Sequence, residues 1–228
     1  RNNLNILPPN VNTSYADFRA LDSKTIAYGL AAVKNIGEKA VQTLSNHRDK
    51  TGDFSNIFEI CSFDSHVINR KVLESLICSG ACDDLHKNRA ELYESIDTII
   101  KWGQKQSLEF ASGQENLFIS NNTSGEASYP HLTTIENWTE EESLKREKEI
   151  LGFYLSGNPL DKYREDLNEF SNISLNKIPD QKPKTIQVGG IIQKINKRYD
   201  KKNRQWAIVE LHDNIGKADV FVFSDTFE

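Results

Sequence analysis

Lys34–Ala40 reads KNIGEKA, and the reading of this heptapeptide decides what surrounds it. Apolar residues recur at helical spacing on both sides, Leu30 and Val33 before it and Ala40, Val41 and Leu44 after it, while Asn35, Ile36 and Gly37 interrupt the pattern. The spacing predicts a helix from Gly29, a tight turn with an apolar residue between two residues that tolerate positive φ, and a second helix from Glu38 or Lys39. Such a turn presents backbone N–H groups at a helix N-terminus, where the partial positive charge favours a phosphate oxygen. The candidate contact set is Lys34, Asn35, Ile36, Gly37, Glu38 and Lys39, with the two lysines as flanking cations. The competing reading is an αα-corner that only packs.

A second copy of the pattern follows. Asn69–Ile77 places Val72, Leu73, Leu76 and Ile77 at helical spacing. Cys78, Ser79, Gly80 and Ala81 then read as the turn, and Asp83 or Asp84 as the cap of a helix over Leu85–Trp102. Two helix-hairpin-helix motifs in tandem grip phosphates on the two strands of a duplex, so Ser79, Gly80 and Ala81 join the expected DNA contacts. Between the copies, Phe54, Ile57, Phe58, Ile60 and Phe63 are the expected core. Upstream, Tyr15–Leu21 and Thr25–Tyr28 form a small hairpin about Asp22 and Ser23.

Downstream the composition changes. Ala111–Tyr129 is a polar stretch holding one apolar anchor, Gln114, Glu115, Asn116, Leu117 and Phe118. An amide followed by paired Leu and Phe among Ser, Gly, Asn and Thr is the form of a peptide offered to a groove on a partner. Trp138–Phe153 is a helix with acids early and bases late, as the macrodipole prefers. Asp161–Phe170 is one more short helix. The remainder alternates as three strands, Thr185–Ile195, Gln205–His212 and Lys217–Phe223, with a Gly189–Gly190 kink and a turn at Asp213–Gly216. They are the opening of an OB-fold barrel, left open with an apolar face along Val220 and Val222 or Ile191 and Ile195. A local basic group sits in the same block: Lys194, Lys197, Arg198, Lys201, Lys202 and Arg204, with Tyr199 and Trp206 interleaved. Cations for phosphates and rings for bases suit a single strand, and a solvated hairpin loop is the equal alternative.

Composition bounds the function classes. The 228 residues are 37% hydrophobic and 27% charged with a net charge of −5, so the chain is not a polycation that coats nucleic acid unspecifically. No apolar run approaches the roughly 18 residues of a membrane span and no signal sequence opens the chain, so it reads as cytoplasmic. Cys61, Cys78 and Cys82, even with His86 at helical spacing, read as reduced buried thiols rather than as metal ligands, because paired Cys-x-x-Cys arms are missing. There is no Met, including at position 1, and the chain reads as an internal segment of a longer protein.

The order of parts resembles the C-terminal portion of the alpha subunit of bacterial replicative DNA polymerase III, a C-family polymerase. The resemblance rests on LPPNVN at Leu7–Asn12, KNIGEKA at Lys34–Ala40, NRKVLESLICSGACD at Asn69–Asp83, QENLF at Gln114–Phe118 and EKEILGFYLSGNPL at Glu147–Leu160. Departures from the family pattern are Asn35 for the usual Gly, Cys82 for the usual aromatic and Asn158 where His is common. The resemblance implies a mainly α chain with a β part: the end of a fingers-like segment over 1–28, a tandem helix-hairpin-helix domain over 29–105, a linker with a clamp-binding peptide over 106–137, a helical connector over 138–183 and the start of an OB-fold over 184–228. It implies that Gln114, Leu117 and Phe118 dock into the cleft of the sliding clamp and that the hairpins hold double-stranded DNA. The OB part lies near single-stranded template DNA, and other replisome subunits are partners. The catalytic palm with its Mg2+ ions belongs to the parent polymerase, so this segment alone carries no catalytic residue and no cofactor. A stand-alone clamp-tethered DNA-repair factor is the alternative; a hydrolase or nuclease lacks a nucleophile, metal cluster or phosphate loop.

Overall fold

The computed structural model describes residues 4–62, 64, 67–111, 129–180 and 185–226, and these divide into two compact units, residues 1–156 and 157–228. The first unit opens with three short strands, β1 (Asn5–Leu7), β2 (Arg19–Ala20) and β3 (Thr25–Ala27), in the order β1-β3-β2. The β2–β3 pair is the expected hairpin, and the Asp22 carboxylate accepts from the N–H groups of Lys24 and Thr25 at its tip. β1 lies parallel to β3, a pairing that the short run Asn5–Leu7 does not signal by itself.

Helices follow where caps and periodicity place them. α1 (Glu38–Thr51) starts at Gly37 and buries Ala40, Val41 and Leu44. The helix expected before it is a single 3-10 turn, Leu30–Ala32. Only five residues separate Gly29, held against the backbone of Ala16–Phe18, from Asn35 in the left-handed region, too few for an α-helix to propagate. α2 (Ile57–Ser62) and α3 (Arg70–Cys78) come next, the latter capped by the Asn69 side chain, which accepts from the N–H groups of Lys71 and Val72. The helix expected over Leu85–Trp102 is instead two, α4 (Arg89–Glu94) and α5 (Ile96–Ala111), and its cap is Asn88, not Asp83 or Asp84. Asp83 pairs with Arg89 through both carboxylate oxygens, at 2.8 and 2.6 Å, and Asp84 accepts from Asn10.

Burial of Leu30, Leu44, Phe58, Leu73, Leu76 and Ile99 joins these helices in one core. Phe54, Ile57, Phe58 and Ile60 are buried as expected, and Phe63 lies outside the described residues. α5 crosses α2 so closely that a Cβ on Gly103 would lie 2.7 Å from Cys61 Cβ. The chain from Tyr129 returns to the same unit. Tyr129 stacks on Phe58 with ring centroids 5.4 Å apart, Thr133 N–H donates to Ser95 Oγ, and Trp138 packs edge-on against Tyr93. α6 (Glu140–Leu151), capped by Thr139 and ended by Gly152 at φ 87°, completes the unit. Its buried Glu147 accepts from the N–H groups of Leu155 and Ser156 and so closes the loop that follows the helix. Residues 138–156 therefore belong to the first unit, and the division between the units falls at Ser156/Gly157.

The second unit contains a 3-10 turn at Asp161–Tyr163, α7 (Arg164–Phe170), a 3-10 segment at Leu175–Asp180 and an antiparallel sheet. Its strands β4 (Ile191–Tyr199), β5 (Gln205–His212) and β6 (Lys217–Val222) run in the order β4-β5-β6. Strand β4 starts later than expected, leaving Gly189 and Gly190 before it, and a bulge interrupts its register between Ile192 and Lys194. The bulge reverses the alternation, so Ile192 and Ile195, rather than Ile191 and Ile195, share a face with Val209, Val220 and Val222. Ile192 and Ile195 are exposed, whereas Val220 and Val222 are half-buried.

Candidate functional site

The turn Lys34–Lys39 is built from opposite tendencies in adjacent residues. Ile36 is buried in the core and its N–H donates to Val33 O at 3.1 Å, while Lys34, Asn35, Gly37, Glu38 and Lys39 are exposed. Asn35 takes φ 67°, the left-handed conformation that turns the chain back, and Gly37 does not, sitting at φ −81° and ψ 160°. Only the first of the two expected positive-φ positions is therefore used.

Gly37 is the N-cap of α1 and offers no side chain to it. The Asn69, Asn88 and Thr139 side chains each occupy N–H groups at the start of their own helices. At α1 the N–H groups of Gly37, Glu38 and Lys39 find no acceptor among the described residues, and the first N–H used is that of Ala40, on Gly37 O at 2.9 Å. A Cβ on Gly37 would meet nothing within 4 Å. Neither backbone strain nor packing asks for glycine here; the bare backbone leaves an open approach to three aligned donors at the positive end of a 14-residue helix.

The second turn is different. Gly80 at φ 80° sits one residue beyond the end cap of α3; its N–H donates to Ile77 O at 3.1 Å, and Ala81 N–H reaches Leu76 O at 2.9 Å. This is a Schellman closure. Ser79 N–H is bonded to Ser75 O, its hydroxyl donates to Leu76 O, and Ser79 and Ala81 are buried. Ser79, Gly80 and Ala81 therefore have their backbone donors engaged inside the turn. Gly80 is explained locally: its φ, and the Arg89 guanidinium, which a Cβ would strike.

In the second unit, the expected basic residues are spread over two faces. Cross-strand pairing sets Arg198 opposite Trp206 on one face and places Lys197 opposite Ala207 and Tyr199 opposite Gln205 on the other. Lys201 and Lys202 lie exposed in the β4–β5 turn. Arg204 is engaged by Asp200 at 2.8 Å and approaches Asp225 at 3.6 Å. The Arg204 N–H, with Lys202 N–H and the guanidinium also donating, holds the Asp200 carboxyl below the usual carboxylate range. Trp206 instead stacks with Phe221 and Phe223, at centroid distances of 6.2 and 6.3 Å, and both phenylalanines are more than half exposed. The alternation of Lys217–Phe223 puts Phe221 and Phe223 on one face in the sequence itself, a signal carried by rings and not by cations.

Burial pushes the thiols upward, Cys61 to about 12 and Cys78 to about 11, with Cys82 also raised, so none is a ready thiolate ligand. Among the described residues no group of three His, Cys, Asp or Glu is placed to hold a metal, and no helix is long and apolar enough to cross a membrane. Gln114, Leu117 and Phe118 lie outside the described residues.

A family model described as the helix-hairpin-helix motif matches residues 3–92. Among curated proteins, the DNA polymerase III subunit alpha of Buchnera aphidicola (subsp. Acyrthosiphon pisum) is 36% identical over 225 residues, 96% of this chain and 19% of that protein. The subunit of the same name from Borreliella burgdorferi is 34% identical over 99% of this chain, and that of Escherichia coli K12 is 30% identical over 100% of it, each match covering 20% of the relative. The chain spans about a fifth of the length of the curated relatives it matches. Matched along its whole length in this way, with the hairpin turn in place, the chain is similar to one segment, about a fifth, of DNA polymerase III alpha subunits.

Proposed function

We propose that this chain is the duplex-holding and clamp-tethering segment of a replicative polymerase, supporting processive DNA synthesis while the chemistry is carried out elsewhere in the parent enzyme. The observation that carries the reading is Gly37, a bare N-cap over the N–H groups of Gly37, Glu38 and Lys39, which find no acceptor among the described residues. A phosphate oxygen of one DNA strand is the ligand that this arrangement accepts, with Lys34 and Lys39 exposed on either side. Unlike the expectation of two equivalent grips, the contact rests on the first turn alone.

Gly37→Asp tests this directly. Aspartate is a favourable N-cap and its carboxylate suits the helix dipole, so the melting temperature holds or rises. The same carboxylate takes the phosphate's place and repels it, so affinity for a short duplex, read by fluorescence anisotropy, falls at least tenfold, that is by about 1.4 kcal/mol or more. Undiminished binding by a folded Gly37→Asp protein contradicts the reading.

The tether is the peptide Gln114–Phe118, with Leu117 and Phe118 as apolar anchors and Gln114 as the polar contact at the rim of the clamp cleft. α5 ends at Ala111 and the chain is back on the same core at Tyr129, which supports presentation of the peptide from the DNA-holding unit. Changing Gln114, Leu117 and Phe118 together to Ala abolishes binding to the cognate sliding clamp and leaves duplex affinity unchanged; retained clamp binding overturns the assignment. A second contact, with single-stranded template, is favoured by the exposed Phe221 and Phe223 stacked on the half-buried Trp206 beside Arg198, since rings stack on bases of any sequence.

A further inference from the structure

Three consecutive residues of the first turn are each tied to a different part of the helical unit. Lys34 N–H donates to Ile150 O at the end of α6, at 3.2 Å. The Asn35 side chain donates through Nδ2 to Ser75 Oγ in the middle of α3, at 3.1 Å. Ile36 is sunk in the core. The next three residues are the ones whose N–H groups find no acceptor among the described residues. The turn is thus fixed on its inner side and open on its outer side.

Asn35 is the unusual member. A side-chain-bearing residue in the left-handed region carries a steric cost that glycine avoids, and among the described residues only Asn203 shares this condition. What Asn35 gains is a bond that glycine cannot make, to a hydroxyl on a fully buried serine. Ser75 has no exposed surface and cannot touch DNA, so any effect it has on DNA binding passes through the turn.

We propose that Asn35 is a positioning residue for the phosphate site and that Ser75 is its anchor: the bond between them holds the turn so that the N–H groups of Gly37, Glu38 and Lys39 point together at one oxygen before DNA arrives. The gain is pre-organisation, since a loose turn must be ordered at the moment of binding. This rests on the assignment of the turn as a duplex contact.

The test is a double-mutant cycle on the full chain, with anisotropy of a short labelled duplex at two salt concentrations and a thermal melt of each variant. Asn35→Gly keeps the left-handed backbone without the bond; Ser75→Ala keeps Asn35 without its anchor. Each single variant binds three- to tenfold more weakly at a temperature where it is fully folded, and the double variant is no weaker than the weaker single. The slope of affinity against salt is unchanged, because no phosphate contact is lost. A merely structural role lowers the melting temperature and leaves the affinity of the folded protein alone, and that result overturns the proposal. If Ser75→Ala fails to fold, Asn35→Gly decides alone, its site being on the surface. Absence of duplex binding by the unaltered chain removes the underlying assignment too, whereas normal binding by both unaltered chain and Asn35→Gly removes only the positioning role.

Discussion

Glu147 shows how one side chain sets the shape of a neighbouring segment. It is a buried carboxylate on α6 that accepts 2.5 and 2.9 Å bonds from the N–H groups of Leu155 and Ser156, eight and nine residues on. Removing it leaves the two N–H groups that converge on its Oε1 without that acceptor. Glu147→Ala therefore lowers unfolding stability by about 2–4 kcal/mol, measured in urea, and Glu147→Gln, which keeps one carbonyl oxygen, costs less. A variant as stable as the parent contradicts this account of the loop. Nothing in the run EKEILGFYLS marks the first glutamate as buried; its neighbours Lys148 and Glu149 suggest a solvated face, and only the return of the chain over it reveals the role. Asn35, by contrast, was legible as a left-handed turn residue from its type and place, but its bond to Ser75 spans 40 positions and has no local sequence signal.

Elements were readable where a cap or a period belongs to the element itself. α1, α3 and α6 begin at Glu38, Arg70 and Glu140, close to the positions that their caps and apolar spacing indicate. Misreadings arose where distant contacts decide. Asp83 and Asp84 look like caps, yet a Schellman closure and the Arg89 ion pair delay the next helix to Asn88. The β4 bulge shifts the apolar face by one residue, an error that periodicity alone cannot detect. Gly103 is a helical glycine whose reason is equally remote, the close crossing of α2 and α5 at Cys61. Gly103→Ala should raise helix propensity in isolation, but here the added methyl overlaps Cys61 and forces the helices apart. We expect a net loss of about 1–3 kcal/mol by thermal or urea unfolding; a neutral or stabilising substitution would show that the crossing has room.

At the scale of the whole molecule, the polar stretch looked like a linker between a DNA-holding domain and a helical connector. The chain beyond it instead rejoins the first unit through Tyr129, Thr133 and Trp138, and α6 braces the hairpin turn through Ile150. Isolated aromatic residues in a polar stretch carry no periodicity, so this return was not visible in the sequence. The consequence is that α5 before the polar stretch and α6 after it belong to one folded unit, the platform that carries the proposed phosphate turn. In the proposed function the platform touches DNA through the first turn and not the second. Amide-resolved NMR of the labelled chain, titrated with a short duplex, reads both turns at once. The Gly37, Glu38 and Lys39 amide signals are expected to shift on addition of DNA while those of Gly80 and Ala81 stay in place; shifts at Gly80 and Ala81 with none at Gly37–Lys39 would overturn the first turn as the contact.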